Sequence, residues 1–153
     1  MNMSDSNDIL DTETMADRDA LMPVSSDRTA ASLSSKGIDA RFVAECAAHA
    51  VSDKQCDDIV VLDLTELSDV CDYFVIATAN NSRQADASVD EVEDRVADDC
   101  GEHPFSIEGR DKGDWILMDY GSVLVHVFTP EQREFYRLER LWGDAPVLDL
   151  DLD

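Results

Sequence analysis

Hydrophobic and polar positions alternate between two periods along the middle of the chain. From Ile38 onward, Phe42, Val43, Cys46, Ala47, Ala50 and Val51 recur at helical spacing and predict an amphipathic helix. Ile59-Val60-Val61-Leu62 follows without a polar break, as expected of a strand covered on both faces. A polar loop, Thr65 to Asp72, leads to a second such run, Tyr73-Phe74-Val75-Ile76-Ala77. Asn80-Asn81-Ser82 supplies helix N-cap residues, and Ala85, Val89, Val92 and Val96 then form a single helical stripe. Gly101 stands where a helix of that length should end.

The second half reads as β-rich. His103 to Ile107 predicts a short strand and Glu108 to Gly113 a turn. Trp115 to Met118 predicts a strand, Tyr120-Gly121 a tight hairpin tip and Val123 to Phe128 the return strand. Thr129-Pro130-Glu131-Gln132 reads as a helix start, with Thr as cap, Pro in the first position and Gln closing a capping box. That helix is expected to bury Phe135, Leu138 and Leu141 or Trp142, and to stop at Gly143. The order α-β-β-α-β-β-β-α predicts an α/β (α+β) domain with a mixed five-stranded sheet flanked by helices.

The ends lack this order. Residues 1–36, rich in Ser, Asp and Thr, read as a disordered acidic tail, residues 37–146 as the folded domain, and residues 147–153 as a frayed acidic end.

Charge narrows the function. Twelve Lys and Arg against 35 Asp and Glu give −23, and 25 of the acids but only nine of the bases fall within residues 37–146. Most of the acidity therefore belongs to the domain and is not a tail effect. It argues against direct nucleic-acid binding, which needs a basic stripe to displace counterions, and against docking on an anionic membrane. A basic protein partner remains compatible with it. Asp outnumbers Glu 25 to 10, and background composition accounts for that bias more simply than function does.

The chemistry-bearing residues do not assemble into a catalytic pattern. Cys46, Cys56, Cys71 and Cys100 show no CxxC spacing, and no His lies at finger spacing from them. No signal peptide is visible, so four ordinary thiols in a reduced, cytoplasmic protein are expected. His126, between two valines, reads as a buried structural histidine. Nucleotide-binding glycine motifs and HExxH are absent, and no cofactor or metal is expected. The aromatic residues Trp115, Tyr120 and Tyr136 are better leads, because Trp and Tyr beside carboxylates anchor protein interfaces.

Five strings in register resemble the ribosomal silencing factors, the Iojap family: Asp72-Tyr73-Phe74-Val75-Ile76, Ile107-Glu108-Gly109, Trp115 to Gly121, Val125-His126-Val127-Phe128, and Arg133 to Trp142. The resemblance covers about residues 38–146. It implies a nucleotidyltransferase-like fold without enzymatic activity. It also implies a repressor that binds the large ribosomal subunit at large-subunit protein number fourteen and sterically blocks joining of the small subunit when nutrients are short. The matched motif points to the Trp115-Ile116 edge as the contact; Glu108, Asp119 and Tyr120 join it as neighbours on the predicted hairpin. Tyr136 is a candidate contact for a homodimer, in line with what the resemblance implies. The alternative is a metal-dependent nucleotidyltransferase-type enzyme, for which Asp63 at a strand end is the first residue to test.

Overall fold

The structure, a computed structural model, describes residues 39–152. The expected tail at residues 1–36 lies outside the described residues. Helix α1 (Ala40–Asp53) starts where the Asp39 carboxylate accepts the backbone N–H of Arg41 at 2.9 Å. Strands β1 (Asp57–Asp63) and β2 (Tyr73–Thr78) follow and pair antiparallel. Helix α2 (Ser82–Cys100) is capped by the Asn81 side chain, which accepts from the Gln84 N–H, and ends on Gly101 at φ 70°. Strands β3 (Ser106–Glu108), β4 (Trp115–Asp119) and β5 (Val123–Phe128) form an antiparallel meander. Two short helices, α3 (Pro130–Tyr136) and α4 (Leu138–Leu141), finish the domain.

The sheet order is β1-β2-β5-β4-β3, as an α+β fold with a mixed five-stranded sheet. Among the described strands only β2 and β5 run parallel, with Tyr73 opposite Val123 and Thr78 opposite Phe128. Parallel neighbours need a long crossover, and here it carries α2, β3 and β4. Every residue of β5 is buried, because it lies at the centre and both faces of the sheet are covered there.

Alternation along the strands divides the core in two. Val61, Val75, Ala77, Ile116, Met118, Val123, Val125 and Val127 face α1 and α2. On those helices Ala44, Ala47, Ala48, Ala50, Val51, Ala85, Val89, Val92 and Val96 are fully buried; the α2 stripe is the one read from the sequence, whereas in α1 Phe42, expected on the buried face, is 43% exposed. The small side chains let the two helices lie close to each other and to the sheet. The opposite face carries Leu62, Phe74, Ile76, Leu117, Leu124 and Phe128, under Leu138, Leu141 and Trp142.

Two expectations are corrected here. The C-terminal helix is not continuous: Arg137 adopts φ 48° and breaks it into α3 and α4. The break rephases the chain, so Leu138, Leu141 and Trp142 reach the core while Phe135, expected inside, is 75% exposed. Residues 147–152 are not frayed. Val147 bridges Leu62, the Leu148 N–H donates to the Val61 carbonyl at 2.9 Å, and Leu148, Leu150 and Leu152 pack on the core. The Leu–Asp alternation is a strand pattern, leucines in and aspartates out, and it covers the β1 edge of the sheet.

Candidate partner-binding surface

The five residues assigned to the hairpin do not form one surface. The period of two sends Trp115, Leu117 and Asp119 to the aromatic face, and Ile116 and Met118 to the helix-covered face. Ile116 is 0% exposed beneath α1 and α2. Tyr120 is 5% exposed on the same side, and its hydroxyl has no hydrogen-bond partner among the described residues. Burial pushes that hydroxyl's pKa up, and Glu93 and Cys100 reinforce the shift. Asp119 is 2% exposed, and its Oδ1 accepts the Gly121 N–H at 2.8 Å. Gly121 sits at φ 88°, so this carboxylate shapes the tight turn between β4 and β5. Ile116, Asp119 and Tyr120 are thus buried parts of the scaffold in this structure, and the expectation that they share one exposed hairpin surface with Trp115 is corrected.

Glu108 and Trp115 remain at the surface. Glu108 ends edge strand β3 with its side chain exposed, and pairs with Leu117. Trp115 opens β4, half-buried, opposite Phe128. Its ring lies 5.0 Å from that of Phe128 and 4.4 Å from that of Tyr136. Tyr136, the candidate dimer contact, is half-buried against Trp115. Phe135 meets Tyr136 edge-on at 5.0 Å and projects outward. Of the two adjacent aromatics, Phe135 takes the outward position and Tyr136 the half-buried one.

His126 fixes the tryptophan from below. Trp115 Nε1 donates to His126 Nδ1 at 3.1 Å, which places the imidazole proton on Nε2. His126 is fully buried, and burial lowers its pKa to about 3. A neutral, structural histidine is what the sequence suggested, although Nε2 has no hydrogen-bond partner among the described residues. Phe74 meets the same imidazole edge-on at 4.6 Å. The indole is therefore positioned before any partner arrives, and holding an aromatic anchor in place lowers the entropy lost on binding.

Next to the aromatics, Arg133 reaches back to the sheet, donating to Thr78 Oγ1 at 2.7 Å and pairing with Glu139 at 2.6 Å. Arg137 pairs with Glu134. On the α1–α2 side, Arg95 holds Asp53 and Glu91, and Arg110 holds Asp86 and Asp90. These arginines offset a few acids while most of α2's carboxylates stay on the solvent side. The more exposed of these pairs, such as Arg137–Glu134, contribute little to stability, on the order of 0–1 kcal/mol each.

The catalytic alternative gains no geometry. Asp63 Oδ1 accepts from both the N–H and the hydroxyl of Thr65, at 2.9 and 2.6 Å, so it is the cap of a turn. Among the described residues no three His, Cys, Asp or Glu side chains are grouped to hold a metal. No helix of the described residues is long and apolar enough to cross a membrane.

The sequence and the fold both have close counterparts. Residues 38–153 match the family described as ribosomal silencing factor during starvation. Ribosomal silencing factor RsfS of Bacillus subtilis (strain 168) is 43% identical over 111 residues, covering 72% of this chain and 93% of that protein. The mouse protein called mitochondrial assembly of ribosomal large subunit protein 1 is 33% identical over 107 residues, which are 69% of this chain and 47% of the mouse protein. A crystal structure of a protein from Chromobacterium violaceum superposes with a TM-score of 0.67 at 29% identity, covering 75% of this chain and 92% of the other. The family's description names a regulatory factor and not an enzyme. With a family match over the whole described domain, this chain belongs to the ribosomal silencing factors.

Proposed function

We propose that the chain represses translation by binding the large ribosomal subunit at a subunit-interface protein, large-subunit protein number fourteen, and sterically blocking the small subunit. The observation that carries this reading is the family match over residues 38–153, joined to an aromatic surface held in place without catalytic groups around it. The name of the mouse relative supports the large subunit as the site of action. Trp115 is the central anchor, with Glu108, Tyr136 and Phe135 around it. The acidic domain surface steers the factor toward a basic ribosomal protein and away from bare RNA. Binding occludes, so no bond need be made or broken. The factor acts in the cytoplasm, and the domain at residues 37–146, braced by the segment after it, suffices.

The test is co-sedimentation of the full chain and of a chain lacking residues 1–36 with purified large subunits, alongside subunit-joining and translation assays. Both chains are expected to bind large subunits, to be excluded from assembled ribosomes and to inhibit translation. Trp115→Ala with Glu108→Lys should weaken binding by roughly thirtyfold or more, the loss expected for an interface anchor worth about 2 kcal/mol. Full binding and inhibition by that variant would overturn the surface; no association with large subunits would overturn the function. Sedimentation equilibrium of the wild-type chain and of Tyr136→Ala tests the homodimer, with a dimer weakened by the substitution expected.

A further inference from the structure

The four thiols are not equivalent. Cys56 shares a hydrogen bond with Ser88 Oγ at 3.2 Å, and Cys71 donates to the carbonyls of Tyr73 and Ser122. Cys46 and Cys100 face each other across the α1–α2 interface with their sulfurs 3.6 Å apart, although 54 positions separate them in the chain. The pair lies under a cleft of about 370 Å³ lined by Phe42, Glu45, Cys46, His49, Arg95 and Asp99, among others. Cys46 opens onto this cleft, whereas Cys100 lies behind it.

We infer that Cys46 and Cys100 form a reversible disulfide site, oxidised by exchange with a low-molecular-weight disulfide entering the cleft over Cys46. A disulfide needs its sulfurs at about 2.05 Å, so they must close by roughly 1.5 Å. Cys100 is the last residue of α2, followed by the left-handed Gly101 cap, and the end of a helix accommodates such a shift better than its middle. Cys46 loses its proton and attacks one sulfur of the small disulfide, forming a mixed disulfide and releasing one small thiolate, which takes up that proton. Cys100 then loses its proton and attacks the Cys46 sulfur; the bond to the second small thiol breaks, and that thiol leaves with the proton. The protein dithiol is oxidised by two electrons and the small disulfide is reduced to two thiols.

The surroundings make the exchange slow. Burial raises the pKa of Cys46, with Asp99 and Glu45 adding to it, against the Cys100 hydrogen bond and Arg95, which lower it. Burial and the neighbouring Cys46 raise the pKa of Cys100 to about 12. The thiolate is the attacking species, so these thiols stay reduced through brief exposure and respond to sustained oxidation. The bond, once made, ties α1 to the end of α2 on the side of the sheet away from Trp115.

The full chain is incubated, folded, with glutathione disulfide, quenched with acid, and mapped by peptide mass spectrometry without reduction. The expected product is a monomer lacking two thiols, with a peptide linked through Cys46 and Cys100, free Cys56 and Cys71, a melting temperature raised by several degrees, and full reversal by dithiothreitol. Cys100→Ser should stop at a glutathione adduct on Cys46, and Cys46→Ser should give no intramolecular link. If either variant misfolds by circular dichroism, the wild-type map alone decides. No Cys46–Cys100 link, a link that forms only under denaturing conditions, or adducts spread equally over Cys56 and Cys71 would each overturn the inference.

Discussion

The two faces of the sheet are built from different side chains and behave as different materials. The face beneath α1 and α2 is sealed with Ala and Val, and its central residues have no exposure. The opposite face is aromatic: Phe74, Trp115, His126, Phe128, Tyr136 and Trp142 meet edge-on or in offset stacks, and the cover thins toward Trp115. Aliphatic packing maximises burial, whereas aromatic rings with polar edges can be left partly open without losing definition. Burial is deepest on the first face, and the proposed recognition surface lies on the second.

Substitutions can break this contrast. The largest effect is expected from Val92→Asp, which places an unpaired carboxylate in the sealed face and should cost more than about 4 kcal/mol, enough to unfold the domain. A folded Val92→Asp chain in urea titration would show that this face is looser than its packing indicates. Trp115→Ala should cost about 2 kcal/mol of stability, since the indole is half-buried, while binding to large subunits falls by more than tenfold. Loss of stability without loss of binding would make Trp115 a structural cover and nothing more.

His126 separates the faces by pH. Its folded pKa, lowered to about 3, lies below the unfolded value near 6.5. The unfolded chain therefore binds the extra proton first. This contribution to stability is complete above pH 6.5 and declines as the pH falls toward 3. His126→Phe should flatten that part of the pH–stability curve, and an unchanged curve would assign the acid sensitivity to carboxylates instead. The smallest expected effect is that of Phe135→Ser: less than about 0.5 kcal/mol in stability, because the ring is exposed, but a measurable loss of large-subunit binding if the aromatic surface extends beyond Trp115.

Much of the architecture was legible in the sequence because period and caps agreed. The Ala85–Val89–Val92–Val96 stripe, the Asn81 cap and the Gly101 stop each point to one helix, and that helix is present. The grouping of Ile116 with Trp115 and of Tyr120 with Asp119 failed for a reason the sequence already held. Successive strand residues face opposite sides, so adjacent residues cannot share one flat surface. The break at Arg137 had no such signal: Arg137 takes the left-handed conformation where Gly would have been the usual marker. The closing Leu–Asp repeat carried a strand period, but its brevity and charge concealed a segment that is held by the β1 edge. The cysteine pair was illegible because residues 46 and 100 become neighbours only after two helices pack.

The parallel pairing of β2 with β5 also sets a timetable. Tyr73 and Val123 pair across fifty intervening steps of the chain, and that pairing is the middle of the sheet. Such non-local contacts close late, after the loop entropy of the whole crossover has been lost. During synthesis the apolar β1–β2 hairpin emerges well before its central partner is translated. The nascent domain must wait, with β2 open on one edge, until Phe128 has left the ribosome.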